Sequence, residues 1–228
     1  MISAQSTRFE FFDRGKKETA VLIPGWATDY RIFDNLNLDF NYLLPVEFNP
    51  INFKDKLHTY LKDNGITDIW FCGYSLGGFI ASGFAEEHPD IVKGLVLMSI
   101  RERYESDEIE GVRRALKKNK DAYLYKFYSQ CLPDDIARKF FKKTLLKDYL
   151  KKFELKFLLD TLEFLKNCRI CPEALKGVKR IKIIHGREDR IAPLQEVLKI
   201  KNDLEDAELT LIDGAGHMVF FGAWKKIL

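Results

Sequence analysis

The chain has 228 residues, of which 46% are hydrophobic and 13% aromatic, with a formal net charge of +3. That length suits one domain with at most one inserted subdomain, and charged residues at 31% with both signs present describe a soluble surface. No apolar run approaches the ~20 residues that cross a bilayer and the segment 1–10 lacks the apolar core of a secretory signal, so a cytoplasmic protein is expected, with neither membrane nor nucleic acid among its partners.

Short runs of apolar, β-branched or aromatic residues, bounded by turn residues, recur along the chain. In order, they predict strands at 8–12, 19–24, 42–48, 68–73, 94–99, 180–185 and 208–212. Several are continuous rather than alternating, as in strands buried on both faces of a parallel sheet. Helices are expected between them. The first, 53–62, sets Leu57, Tyr60 and Leu61 on one side and is stopped by Asn64-Gly65. Others follow at 76–87 and 193–204. This alternation predicts an α/β fold, a mostly parallel central sheet flanked by helices.

The alternation breaks once. From 101 to 167 there is no strand candidate, and Lys, Leu, Phe and Tyr recur at helical spacing. The stretch reads as an inserted helical lid, so residues 1–100 and 168–228 are expected to form the two parts of the core. The lid concentrates charge: between Arg113 and Lys156 stand 14 Lys and Arg against 5 Asp and Glu, a surface suited to an acidic partner. Four cysteines, Cys72, Cys131, Cys168 and Cys171, make no disulfide framework in a chain this long. Cys168 and Cys171 have C-x-x-C spacing, but no second pair or nearby His completes a zinc site. Reduced thiols are expected, with no metal and no cofactor.

Within this pattern, Gly73-Tyr74-Ser75-Leu76-Gly77 places a G-x-S-x-G sequence between a predicted strand and a predicted helix. A serine in that position sits on a strained turn that exposes its Oγ, and small residues two before and two after relieve the crowding. Ser75 is therefore the candidate nucleophile. The oxyanion formed on attack needs two N–H donors. One is expected from Leu76 at the helix start and the other from Trp26, in the glycine turn that follows the strand 19–24.

Of the four histidines, His58 lies within a predicted helix, His88 at a helix end far from Ser75, and His185 at the close of a strand. His217 lies in a flexible turn, Gly214-Ala215-Gly216-His217, just after the last strand. It alone fits the chain order nucleophile, acid, base, and is the candidate base. The acid should follow the preceding strand, where Glu188 and Asp189 both stand. Asp189 is preferred because G-x-x-D-x-I-x-P is the usual form of this loop in such folds, and Glu188 is the alternative.

Gly25-Trp26, the glycine-flanked Ser75 and Gly214-Ala215-Gly216-His217 together resemble the α/β-hydrolases. More narrowly, with the stretch 159–166, they are similar to the pimeloyl-acyl-carrier-protein methyl ester esterases of biotin synthesis. The likeness runs over roughly 22–221 and is specific at these motifs. It implies a serine carboxylesterase that cleaves a methyl ester at the far end of an acyl chain carried on phosphopantetheine, with a basic lid that holds an acidic acyl carrier protein. By the same resemblance Lys126 and Lys139 stand for lid arginines of that family, and Phe127, Tyr128, Ser129, Gln130 and Cys131 would line the acyl tunnel. Lys139, Lys143, Lys147 and Lys151 repeat at four-residue steps and would form one stripe on a helix. Lysine lacks the planar fork with which arginine grips phosphate, and such a stripe also suits the solvated face of an amphipathic helix. Two departures are Pro24, where many relatives have His, and the short loop 49–52. The alternatives are a hydrolase for another small ester or thioester, and a non-catalytic binding scaffold.

Overall fold

The computed structural model describes residues 6–34 and 36–221. The first five residues of the segment read for a secretory signal lie outside them. The described residues form one sheet of seven strands, β1 (Arg8–Phe12), β2 (Thr19–Ile23), β3 (Asn41–Glu47), β4 (Ile69–Tyr74), β5 (Val92–Met98), β6 (Ile181–Gly186) and β7 (Glu208–Ile212). Their order across the sheet is β1-β3-β2-β4-β5-β6-β7. β1 runs antiparallel to β3 at one edge, and every other pairing is parallel. Burial follows place in the sheet. Central β2 holds Ala20, Val21, Leu22 and Ile23 wholly out of solvent, while edge strand β1 stays mostly exposed.

Helices α1 (Phe53–Asp63) and α2 (Leu76–Glu87) join β3 to β4 and β4 to β5. α1 buries Phe53, Leu57 and Leu61 at four-residue steps, and Gly65 just beyond it takes the left-handed φ of +64° that a glycine stop supplies. α2 is buried along most of its length, as a helix laid on a sheet and roofed by further helices must be. Between β5 and β6 come α3 (Ser106–Lys118), α4 (Lys120–Cys131), α5 (Asp135–Phe141), α6 (Lys147–Lys152), α7 (Leu155–Lys166) and the short α8 (Pro172–Leu175), and α9 (Leu194–Asp203) joins β6 to β7. The mostly parallel sheet, its flanking helices and the helical insertion expected from the sequence are all present. None of the helices among the described residues is long and apolar enough to cross a membrane.

One part of the insertion departs from a simple helix. α5 and α6 are joined by a π-helical segment, Lys142–Leu146. The reason is the spacing of its apolar residues. Ala137, Phe141, Leu145, Tyr149 and Phe153 are all buried, each four positions after the last. Four residues of α-helix turn through 400°, so an α-helical stripe at that spacing drifts by about 40° per step. The wider π turn takes up the drift and returns the stripe to the core. The same correction keeps Lys139, Lys143, Lys147 and Lys151 together on the exposed side.

Candidate active site

β4 ends at Tyr74 and α2 starts at Leu76, so Ser75 alone makes the turn between them. Its φ of +52° lies in the left-handed region that side chains rarely adopt. Such strain persists where the surroundings overdetermine it. Here the Ser75 N–H donates to the Met98 carbonyl at 2.9 Å, and the Ser75 carbonyl accepts from the Gly78 N–H at 2.9 Å. The two glycines are spatial requirements. A Cβ on Gly73 would stand 2.5 Å from the Gly77 carbonyl oxygen, and one on Gly77 would collide with the Ile23 carbonyl. Helix α2 can thus cross the end of β2 closely enough to present Ser75.

Leu76, first in α2, has an N–H without an intrahelical acceptor, at the positive end of the helix dipole. The turn after β2 lies against the elbow, since a Cβ on Gly25 would come 3.1 Å from the Cβ of Ser75. The adjacent Trp26 N–H donates to no other group among the described residues. Leu76 thus follows the serine directly in the chain, and the Gly25–Trp26 turn packs against it. The Trp26 side chain is separately employed: its indole N–H donates to Thr161 Oγ1 at 3.1 Å, and its ring meets Phe127 edge-on at 5.2 Å.

The other two residues arrive on neighbouring strands. β6 and β7 pair with Gly186 opposite Ile212, so the loops that leave them start side by side. The Arg187 N–H donates to the Ile212 carbonyl at 3.1 Å and the Glu188 N–H to the Ala215 carbonyl at 3.0 Å, which ties the two loops together. Across them His217 Nδ1 stands 2.8 Å from Asp189 Oδ2, and His217 Nε2 stands 2.9 Å from Ser75 Oγ. Asp189 Oδ1 accepts from the N–H groups of Ile191 and Ala192, both at 2.8 Å. Ser75 and Asp189 are each 7% exposed and His217 is 1% exposed, whereas Glu188 faces solvent. With Asp189 ionised, Nδ1 carries the imidazole proton and Nε2 offers its lone pair to the serine hydroxyl. Burial works to raise the Asp189 pKa, but the His217 charge and hydrogen bond, with His185 and the Ala192 N–H, hold it below the usual carboxylate value.

A second histidine stands behind this acid. His185 is wholly buried, its Nε2 donates to the Ala192 carbonyl at 2.9 Å, and it lies 3.7 Å from Asp189 Oδ2. Its Nδ1 has no partner among the described residues. Burial pushes its pKa below the ordinary value of 6.5. The unfolded chain therefore takes up this proton first as pH falls below about 6.5, and native stability declines until the folded value is reached. His185→Gln keeps a donor for the Ala192 carbonyl and does not titrate. The Tm advantage of the unsubstituted protein over that variant should shrink as pH falls from 8 to 5. An advantage constant across the range would contradict the account.

Above Ser75 lies a cavity of about 160 Å³, walled by Trp26, Tyr104 and Ile191 and by residues of α3, α4 and α7, among them Ile109, Tyr123, Phe127 and Leu162. Charged groups enter its wall at Glu108 and Arg190. A larger hollow of about 480 Å³, between the ends of α8 and α9, contains no histidine or serine. Tyr104, which no sequence motif marks, lines the same cavity as Ser75. Burial raises its pKa, so the phenol stays neutral, and the Arg101 guanidinium lies 4.6 Å over its ring.

The expected acyl-tunnel run divides. Phe127 lines the cavity, but Tyr128 turns away to donate to the Ala27 carbonyl, Ser129 bonds the Tyr125 carbonyl, Gln130 is exposed and Cys131 is buried outside the cavity wall. Successive helical residues are rotated by about 100°, so five in a row cannot share one face. Tyr123, one turn before Phe127, takes the place the run was expected to fill. Lys126 and Lys139 are exposed on the insertion and do not line the cavity. Among the described residues no group of three His, Cys, Asp or Glu side chains is gathered where it could hold a metal.

The model of the alpha/beta hydrolase fold family matches residues 45–223. The AB hydrolase superfamily protein YisY of Bacillus subtilis is 25% identical over 187 residues, 76% of this chain and 67% of that protein. The 2-hydroxy-6-oxo-2,4-heptadienoate hydrolase of Pseudomonas putida is 24% identical over 154 residues, 64% of this chain and 56% of that protein. Among solved structures, an esterase from Exiguobacterium antarcticum superposes with a TM-score of 0.81 at 15% identity, covering 98% of this chain and 93% of that one.

Proposed function

Since the chain belongs to the alpha/beta hydrolase fold family, we propose that it is a serine hydrolase of carboxylic esters with a compact, largely apolar acyl group. The observation that carries this reading is the unbroken hydrogen-bonded path Asp189–His217–Ser75, ending beneath a cavity. Fold alone would not assign an activity. In the proposed reaction His217 Nε2 takes the Ser75 proton as Oγ attacks the ester carbonyl. The N–H groups of Trp26 and Leu76 receive the oxyanion, and the proton passes to the departing alkoxide. Water then attacks the acyl-serine by the same route. The cavity, of about 160 Å³, is lined mostly by apolar and aromatic side chains, which supports a short apolar acyl group. Aryl acetates and butyrates should be cleaved with far higher kcat/KM than decanoates, and a fluorophosphonate should label Ser75. Flat chain-length dependence would remove the compact-acyl assignment, and a protein with neither turnover nor labelling would remove the hydrolase reading.

A second reading, in which the acyl chain is long and leaves the cavity, is the methyl ester of a pimeloyl chain on an acyl carrier protein, and it is supported by the exposed lysines of the insertion. Lys126, Lys139, Lys143, Lys147 and Lys151 all face solvent, free to meet an acidic surface. The carrier-linked chain would then extend out of the cavity past the insertion. Under this reading the carrier substrate is preferred over a free aryl ester at low salt, and the preference falls as salt rises. Lys126→Glu with Lys139→Glu should lower kcat/KM at least ~10-fold for the carrier substrate and leave the free ester unchanged. Equal losses on both substrates would set the docking idea aside.

A further inference from the structure

The turn that carries the Trp26 N–H is held by contacts that the reaction above does not use. Gly25, Trp26, Ala27 and Thr28 make a tight turn closed by the Thr28 N–H, which donates to the Gly25 carbonyl at 3.3 Å. The Thr28 hydroxyl donates to the same oxygen at 2.9 Å. Thr28 is 2% exposed, so water does not compete freely for that bond. The Gly25 carbonyl and the Trp26 N–H belong to one planar trans peptide and point in opposite directions. Two donors that grip the oxygen on one side therefore fix the direction of the N–H on the other.

The rest of the turn is anchored to the insertion. Ala27, at a φ of +55°, sits in the left-handed region that non-glycine residues rarely adopt, and its carbonyl accepts from the Tyr128 hydroxyl of α4 at 2.5 Å. The buried Asp29 carboxylate accepts from the Tyr149 hydroxyl at 2.9 Å and from Arg31 and Lys152. Trp26 reaches Thr161 of α7. Three helices of the insertion thus hold Trp26 and Ala27 of the turn and Asp29 just beyond it. Thr28 holds the peptide that matters.

We infer that Thr28 is a positioning residue for the oxyanion hole: its hydroxyl sets the Gly25–Trp26 peptide so that the Trp26 N–H faces the attacked carbonyl, and Tyr128 braces the turn from the insertion. This rests on the ester-hydrolase reading with Trp26 as a donor. Removing a whole oxyanion donor costs about 10²–10³ in kcat, and misaligning one costs part of that. Thr28→Val, nearly isosteric, should lower kcat by roughly 10-fold to 100-fold with KM within about 2-fold. Affinity for a trifluoromethyl ketone, which forms a tetrahedral oxyanion on Ser75, should fall in the same proportion, while a ground-state amide analogue binds unchanged. Thr28→Ser, which keeps the donor, should restore kcat, and Tyr128→Phe should show a smaller loss in the same direction. If Thr28→Val does not fold, Thr28→Ala removes the same hydroxyl and is read in the same way.

Normal kcat in Thr28→Val, a loss confined to KM, or a Thr28→Ser variant as impaired as Thr28→Val would overturn the assignment, the last by tracing the effect to packing. These results presuppose an unsubstituted protein that cleaves esters. One that does not would overturn the hydrolase reading and this inference with it, an outcome distinct from active protein indifferent to Thr28.

Discussion

Ser75→Ala should lower kcat for an activated ester by about five to six orders of magnitude, the scale seen when a triad nucleophile is removed elsewhere, with the circular dichroism spectrum unchanged. The size follows from what the hydroxyl does. In the proposed reaction it forms the only bond from protein to acyl group, and the His217 lone pair 2.9 Å away has no other proton to take. The effect on the fold is small because the turn is set by the backbone. The bonds to Met98 and from Gly78, and the clearances at Gly73 and Gly77, do not involve the side chain. Alanine inherits the φ of +52°, so no strain is released and Tm should stay within a few degrees. Catalysis that survives measures the rest of the site, since Trp26 and Leu76 could still polarise a carbonyl toward water. Turnover within about tenfold of the unsubstituted protein would end the assignment of Ser75 as nucleophile.

The parts of this molecule legible in its sequence are those where a short stretch must satisfy one dominant constraint. Strands buried on both faces need continuous apolar runs, so the expected β-strands lie within two residues of those observed at each end. A nucleophile elbow needs glycines at 73 and 77, and the loops after β6 and β7 show their chemistry in residues next to one another. Legibility fails where a residue acts through partners far along the chain. Tyr104 shares the cavity wall with Ser75 but comes from Arg103-Tyr104-Glu105, a setting indistinguishable from an ordinary surface connection. Thr28 has no motif, because its task is defined by a carbonyl three residues back and by a turn that helices more than 100 residues away hold in place. Resemblance treats the run 127–131 as a unit, yet helical rotation gives each member different neighbours. The π segment shows the converse: a four-residue apolar period is present in the sequence, and its meaning emerges only once an α-helix is seen to drift out of phase with it.

Asp189→Asn is the sharper test, because it should damage chemistry with the site almost undisturbed in shape. The carbonyl of the introduced amide could still accept from the Ile191 and Ala192 N–H groups, which bond Oδ1 of Asp189 at 2.8 Å. The amide NH₂ would then occupy the place of Oδ2, 2.8 Å from His217 Nδ1. Two donors cannot face one another there, so Nδ1 must accept and the imidazole proton moves to Nε2. Ser75 Oγ then meets an N–H in place of a lone pair, and the base is lost by tautomer rather than by displacement. The same exchange elsewhere costs about 10⁴ in kcat, and a loss near that size with KM little changed is expected here. Glu188→Gln supplies the contrast. That side chain faces solvent while its backbone N–H ties the two loops, so neutralising it should leave kcat within about twofold. If Glu188→Gln proved the more damaging of the two, the carboxylate that orients His217 in solution would be Glu188, and the loop after β6 would have to rearrange by one residue to bring it there.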